Sequence, residues 1–542
     1  MPEYTSPGVY VEEVEQGAKP IEGVETSTAG FLGETERGPE DPQLLTDYTD
    51  YQRYFGGTVE NRYLAQAVDG FFQNGGSHCY VGRITPENTA TAKGDLPPLR
   101  STTDMLEIDV SESIIELSAI GSGDWGTGVA VTVADASLYT PNENDLFQLT
   151  VRYWSDLTDR KAAKSVLANP DVDIDEAPNP DAEEVYDNLT TDEASTDYYG
   201  TVLDKNSALV EVVKENIQNG LRPANGTMWL DSTFPNETVT ASDYEGDLTA
   251  EPDERTGFAA FEGIDEISIV CVPDENEYSN RLAETIVTHC TKQKDRFAIL
   301  QSEKQPEGLE TLQPSVRSNF AAFYYPWLTV EHPETGQDQE VPPGGHVAGI
   351  YARSDQEHGV HKAPANESVR GIRGLQLNIS KGDQDVLNPR GVNCIRTFSD
   401  RGTRIWGART TSDDPSWKYV NVRRLFLFIE ESIDKGTQWV VSYPNDEQLW
   451  RRVRQSIQNF LTSVWQDGAL MGTTPEEAFY VKCDRSTMTT RYRLRPRPDQ
   501  QRLLFPESAG NHGSMAQYSR PRTPVSPPTT VGARARSRYR PR

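Results

Sequence analysis

Polar and apolar positions change their period several times along the chain, and each change marks an element. At the start, Val9 and Val11 alternate with Tyr10 and Glu12, while Pro2 and Pro7 disfavour helix. Residues 1–20 therefore read as an extended arm. It carries too little apolar surface to fold alone, and an edge strand elsewhere is its natural partner. "TAGFLGETERGP" at 28–39 is a short apolar strand followed by turn residues. "YTDYQRYFGG" and "RYLAQAVDGFFQNGG" predict two short helices, each closed by glycine, and "HCYVGRI" a strand. Beyond residue 105 the period drops to two: "LEIDVSESIIELSAIGSG", "GVAVTVAD" and "LFQLTVRYW" alternate between Gly, Asn and Pro turns.

From residue 256 the pattern returns to α/β. "IDEISIVCVPD" is a continuous apolar run, as in a strand of a sheet covered on both faces. "NRLAETIVTHCTKQ" predicts a helix and "RFAILQS" a strand. "VRRLFLFIEESIDKG" and "EQLWRRVRQSIQNFLTSVWQDG" predict helices. In the second, Leu449, Val453, Ile457, Phe460, Leu461 and Val464 fall on one face and Arg451, Arg454 and Gln458 on the other. "TTPEEAF" places Pro475 at a first helical position. The expected fold class is a multidomain α+β or α/β chain. It has a discontinuous α/β core, a β-rich insertion and extended terminal arms. The segments are an arm at 1–20, the N-terminal part of the core at 21–100, an acidic β-rich insertion at 101–255, the C-terminal part of the core at 256–488 and a basic Arg- and Pro-rich tail at 489–542, expected to be disordered.

Charge sharpens this picture. Acidic side chains outnumber basic ones 83 to 52, and only 14 of the basic residues are Lys. From Ser165 to Asp204 there are 12 carboxylates and no Lys or Arg, so this part of the insertion should face solvent. An acidic, Lys-poor surface suits a high-salt cytoplasm, where charges are screened within about 3 Å at 1 M salt. It argues against a nucleic-acid partner. No run of eighteen apolar residues exists, so no membrane insertion is expected. The opening shows neither the basic region nor the apolar core of a secretory signal. Five singly spaced cysteines, Cys79, Cys271, Cys290, Cys394 and Cys483, form neither a disulfide framework nor a zinc pattern, which fits folding in a reducing cytosol. The tail differs from everything before it. Residues 489–542 hold 12 Arg, no Lys and two carboxylates, and show no hydrophobic periodicity.

The densest candidate chemistry is "GHVAGIYARSDQEHGVHKAPAN" at 345–366, with His346, Asp355, Glu357, His358, His361 and Lys362. A hydrolytic triad needs a nucleophile on a sharp turn beside a base, and no G-x-S-x-G occurs. Zinc favours paired histidines on a helix, but Gly359 and Pro364 prevent a regular helix through "HGVHKAPAN". The expected reading is a tightly folded structural loop. The glycines of "QNGGSHCYVGR" lack a phosphate-cradle pattern, and a helix C-cap before a strand accounts for them. No catalytic group, cofactor site or metal site is expected, which favours an assembly protein over an enzyme.

Read in order, these residues resemble the contractile tail sheath protein of bacteriophages and phage-like contractile injection systems. "YTSPGVYVEEV", "GVETSTAGFLGETERGP", "FGG" and "FFQNGGSHCYVGRI" match the N-terminal part of that family, and "GSGDWGTGVAVTV" its insertion. The strongest match is "YYPWLTV", "VPPGGHVAGIYARSDQEHGVHKAPANE", "LNPRGVNCIRTFSDRGTRIWGARTTSDDPSWKYVNVRRLFLFIEESIDKGTQWVV" and "GALMGTTPEEAFYVKCD". The resemblance implies six-subunit rings stacked helically around an inner tube. Contraction then drives the tube through a target envelope without nucleotide. It implies partners in the sheath itself, the inner tube, and baseplate and tail terminator or cap proteins. Assembly is in the host cytoplasm, in a virion tail or a released particle. It implies an inter-subunit arm, here Tyr4, Pro7, Val9, Tyr10 and Val11, and a charged helical contact to the tube, for which Arg451, Arg454 and Gln458 are the candidates. A surface-layer or adhesin-like protein is the alternative. Ser442 and Tyr443 depart from the family's usual pair, and the tail replaces its closing strand. The tail is either a frameshift product or a genuine basic segment that binds acidic surfaces. The intact mass of the assembled protein separates the two.

Overall fold

The computed structural model describes residues 19–86, 89–96, 115–140, 145–168, 176–215, 222–232, 238–252, 254–278, 281–333, 335–487 and 530–533. The chain divides into two compact units, one of residues 26–356 and 364–418, the other of residues up to 25, 357–363 and from 419 on.

The larger unit is built on an eight-stranded sheet. In spatial order its strands are Gly402–Ile405, Val392–Phe398, Ala321–Tyr325, Phe297–Gln301, Ile269–Cys271, Ala29–Gly33, Cys79–Arg83 and Gln43–Leu45. The six inner strands run parallel, and each edge strand is antiparallel to its neighbour. Ala29–Gly33, Ile269–Cys271, Phe297–Gln301 and Ala321–Tyr325 are buried at every position, which their continuous apolar sequence requires in a sheet covered on both faces. The strand order reverses between Ala29–Gly33 and Ile269–Cys271, so segments far apart in sequence meet at the middle of the sheet.

The stretch 345–366 corrects the sequence reading. Most of it is not a loop, because Gly344–His358 is a helix buried from Gly344 to Ser354. Gly359 and Pro364 do exclude helix from residue 359 on, but the glycines before them lie within it, although glycine costs about 1 kcal/mol in an exposed helix. Here they permit a close helix crossing. A Cβ on Gly345 would lie 2.1 Å from the Ala67 carbonyl oxygen, and one on Gly349 2.3 Å from that of Phe71. From the other side, a Cβ on Gly70 would lie 2.3 Å from His346 Nδ1. Three glycines therefore let the Leu64–Gln73 helix sit directly on the Gly344–His358 helix. The helix stops at Gly359, whose φ of +83° lies in the left-handed region.

Between the two groups of core strands lie two smaller sheets that share one hydrophobic core. A four-stranded sheet orders Gly226–Trp229, Val129–Asp135, Phe147–Tyr153 and Ala182–Leu189, and a three-stranded sheet orders Lys93–Leu96, Ile115–Ala119 and Val210–Glu215. Leu117, Val131, Leu149 and Leu230 are among the residues packed between them. Helices Leu157–Leu167 and Tyr199–Asn206, which the period-two pattern did not predict, also lie here. Of the acidic stretch, Glu183, Asp187, Asp192, Glu193 and Asp197 are exposed.

In the smaller unit, Glu447–Gln466 is a helix that buries Leu449, Val453, Ile457, Phe460, Leu461 and Val464. Asp446 caps it, its Oδ1 accepting from the amides of Gln448 at 3.0 Å and Leu449 at 2.8 Å. The helix Val420–Thr437 shares that core and also holds residues 21–24. Val24 N–H donates to Ser432 Oγ at 3.0 Å, and Ile21 lies against Gly436, where a Cβ would come within 2.6 Å of it.

Replacing Gly349 by Ala should destabilise the larger unit by about 1–3 kcal/mol, because the new methyl meets backbone, which cannot yield. Gly263→Ala, whose Cβ meets only the Ala260 carbonyl oxygen at 3.7 Å, serves as the control. Denaturant unfolding followed by tryptophan fluorescence reads the difference. Equal midpoints for the two variants would mean that the helices do not cross this closely.

Candidate assembly interface

The imidazoles and carboxylates of 345–366 occupy separate environments. His346 is buried in the helix crossing, its Nδ1 lacks a hydrogen-bond partner among the described residues, and burial pushes its pKa down to about 4. Asp355 Oδ2 accepts from Thr26 Oγ1 at 2.7 Å. His358 and Glu357 are both about half exposed and 3.8 Å apart, a separation that contributes little in water. The His361 carbonyl accepts from Asn421 Nδ2 at 2.9 Å, which ties the loop to the Val420–Thr437 helix. Among the described residues, no three His, Cys, Asp or Glu side chains are grouped to hold a metal ion. All five cysteines are buried free thiols, and burial pushes those of Cys290 and Cys394 up to about 12.

The candidate contact residues of the Glu447–Gln466 helix lie on the smaller unit. Arg451 is exposed, and its Nε donates over 3.4 Å to its own helix at the Glu447 carbonyl. Arg454 is half-buried and reaches the Cys483 carbonyl at 3.3 Å, so it also ties the helix to the end of strand Phe479–Lys482. Gln458 is half-buried, and its carbonyl accepts from Thr462 Oγ1 at 2.7 Å. All three sit off the buried face, but of the three Arg451 alone is exposed. The strand Phe479–Lys482 alternates, with Phe479 inward and Tyr480 59% exposed. Its partner is Thr530–Ala533, paired antiparallel from Phe479↔Ala533 to Lys482↔Thr530. Those four residues correct the expectation of a tail without a strand. A Thr-Val-Gly-Ala run satisfies the open edge of Phe479–Lys482 with backbone bonds, which periodicity in an Arg-rich segment could not signal. The rest of the tail and the arm residues Tyr4, Pro7, Val9, Tyr10 and Val11 lie outside the described residues. The hold of residues 21–24 on Val420–Thr437 was not foreseen, and no local pattern announces it.

Comparison with known proteins assigns this architecture. Residues 237–411 match the phage tail sheath protein central domain, and residues 412–493 match the phage tail sheath C-terminal domain. These residues belong to the phage tail sheath family. A putative prophage major tail sheath protein of Pseudomonas aeruginosa (strain UCBPP-PA14) is 26% identical over 152 residues, covering 27% of this chain and 39% of that protein. The tail sheath protein of Escherichia phage P2 is 30% identical over 132 residues, covering 23% of this chain and 33% of its own. The chain thus spans between a third and two fifths of these curated relatives. Among solved structures, a sheath tail protein from Listeria innocua aligns with a TM-score of 0.56 at 10% identity, covering 85% of this chain and 89% of that one. The sheath complex of an extracellular contractile injection system, in its contracted state, aligns at 0.53 and 19% identity, covering 100% and 96%. At these identities the likeness is one of fold. The sheath-family match ends at residue 493, close to where the Arg-rich composition begins.

The His346 imidazole should stay neutral and keep a constant NMR shift from about pH 8 down to about pH 5, since its pKa is held near 4. Selective histidine labelling reads this. A midpoint near the ordinary value of 6.5 would mean that water reaches the helix crossing.

Proposed function

We propose that this chain is the structural subunit of a contractile tail sheath. It polymerises as stacked hexameric rings around an inner tube, and contraction drives the tube through a target cell envelope. The observation that supports this reading is the match of 257 consecutive residues, 237–493, to the two sheath domains. The role is structural: the energy is the free-energy difference between two packings of the same subunits, and no catalytic group or cofactor is invoked. The inner tube, the baseplate and a terminal cap are its partners, and the particle is a phage tail or a contractile injection device. The N-terminal arm is read as an added strand on a neighbour, through Tyr4, Pro7, Val9, Tyr10 and Val11. Backbone ladder bonds of that kind survive a rigid-body rotation that side-chain interfaces do not. Arg451, with Arg454 and Gln458 beside it, is read as the surface presented to an acidic tube.

Deleting residues 1–18 should leave the unfolding midpoint unchanged, because residues 21–24 already anchor on the Val420–Thr437 helix. The same deletion should abolish tubes seen by electron microscopy. Loss of folding in the deletion variant would place the arm within its own subunit. Reversing both charges, Arg451→Glu with Arg454→Glu, should weaken co-sedimentation with the inner tube at low salt, and less so at high salt. Unchanged co-sedimentation at low salt would remove this face from the tube interface. The function as a whole is tested by sedimentation at high protein concentration and high salt with the tube protein present. Large assemblies are expected, and a persistent monomer would refute it.

A further inference from the structure

Strands Ala29–Gly33 and Ile269–Cys271 lie side by side where the strand order of the large sheet reverses. In open α/β sheets, the crevice beyond the carboxyl ends of such strands is where functional groups collect. In this chain that position holds Asp274 and Glu275, which are 1% and 3% exposed. Each carboxyl uses one oxygen to hold a neighbouring element. Asp274 Oδ1 accepts from the Tyr63 amide at 2.9 Å, at the start of the Leu64–Gln73 helix. Glu275 Oε1 accepts from the Gln301 amide at 2.5 Å, at the end of strand Phe297–Gln301. The Gln301 side chain extends the link. Its Oε1 accepts from the Gly344 amide at 2.8 Å, and its Nε2 donates to the carbonyls of Val272 and Pro273 at 2.9 Å each.

The second oxygen of each carboxyl, Asp274 Oδ2 and Glu275 Oε2, is buried without a hydrogen-bond partner among the described residues. An ionised oxygen in that position has nothing to replace its water, whereas a protonated one carries no net charge. The surroundings do not supply the missing charge. Asp274 faces Arg62, Glu34 and Glu277, and Arg62 is already paired with Glu34 at 2.5 Å. The other titratable groups around it are Tyr51, Tyr63, Tyr244 and Cys271, none of them cationic. Glu275 faces Cys271 and the Gln301 amide, with no cation contributing.

We propose that Asp274 and Glu275 form a proton-binding site that latches the centre of the sheet to the starts of the Leu64–Gln73 and Gly344–His358 helices and releases them when its protons leave. The amide bonds to Oδ1 and Oε1 would themselves be strengthened by ionisation, but the two stranded oxygens then draw the side chains towards water, and the clamp goes with them. Burial pushes Asp274 up to about 7 and Glu275 up to about 8. The folded chain therefore keeps protons that the unfolded chain has released. The stabilisation is complete below the ordinary carboxyl values, falls as pH rises through the interval up to these raised values, and is gone above them.

Hydrogen exchange of the full chain tests this. After correction for base-catalysed exchange, protection of the peptides containing Tyr63, Gln301 and Gly344 should fall at least tenfold between about pH 6 and about pH 8 and level off above, since each pH unit between the released and the raised pKa of a carboxyl is a factor of ten. In the Asp274→Asn, Glu275→Gln variant it should stay flat. Infrared difference spectra of the wild type keep the proposal testable if that variant does not fold. A protonated-carboxyl stretch should be present at about pH 6 and absent at about pH 9. Protection independent of pH in the wild type, an equal loss in the variant, or no protonated-carboxyl band at pH 6 would overturn the proposal.

Discussion

Strand Ala29–Gly33 finds its parallel partner in Ile269–Cys271, and the two segments are about 240 residues apart in sequence. The large sheet depends on that pairing, because its strands on either side come from the two separate parts of the chain. Closing so long a loop costs conformational entropy, but the cost grows only with the logarithm of length. Complete burial of both strands on both faces offsets it. The residues between are not carried as slack. The part from Ala92 to Leu230 folds around its own core, which includes Leu117, Val131, Leu149 and Leu230, so its acidic outer positions can vary without disturbing the central sheet.

The close crossing of the Leu64–Gln73 and Gly344–His358 helices locks the same joint from above. Gly345 and Gly349 on one helix and Gly70 on the other bring an N-terminal helix into backbone contact with a C-terminal one. His346 fills the remaining space, and burial keeps it neutral. Packing of this density transmits displacement instead of absorbing it, so this part of the larger unit moves as one piece.

How much of this was legible in the sequence varied with the kind of signal. The Glu447–Gln466 helix was readable because its apolar spacing and its Asp446 cap agree, and the buried residues are those the period of 3.6 selects. Strands such as Phe297–Gln301 were readable from apolar runs alone. The Gly344–His358 helix was not, because intrinsic propensity counts glycine against a helix, while tertiary packing made glycine necessary. Leu157–Leu167 was missed although Asp156 accepts from both Thr158 and Asp159, a local capping signal that was present. The contact of Ile21 with Gly436 and the pairing of Thr530–Ala533 with Phe479–Lys482 join distant segments, and no local pattern encodes them. At the candidate interface, the separation of Arg451 and Arg454 from the apolar face was legible. The hydrogen bond from Arg454 to the Cys483 carbonyl was not, because it depends on a strand 29 residues away.

On the sheath reading, the same subunit packs in two lattices while its large sheet keeps its register. Cryo-electron microscopy of the assembled particle before and after triggering tests it most directly. Two helical lattices of the same subunit that differ in diameter and rise are expected. The register of Ala29–Gly33 against Ile269–Cys271 should be unchanged in both, and the subunits should be related by rotation. A single lattice that triggering leaves unaltered, or a transition in which that central register breaks, would contradict it.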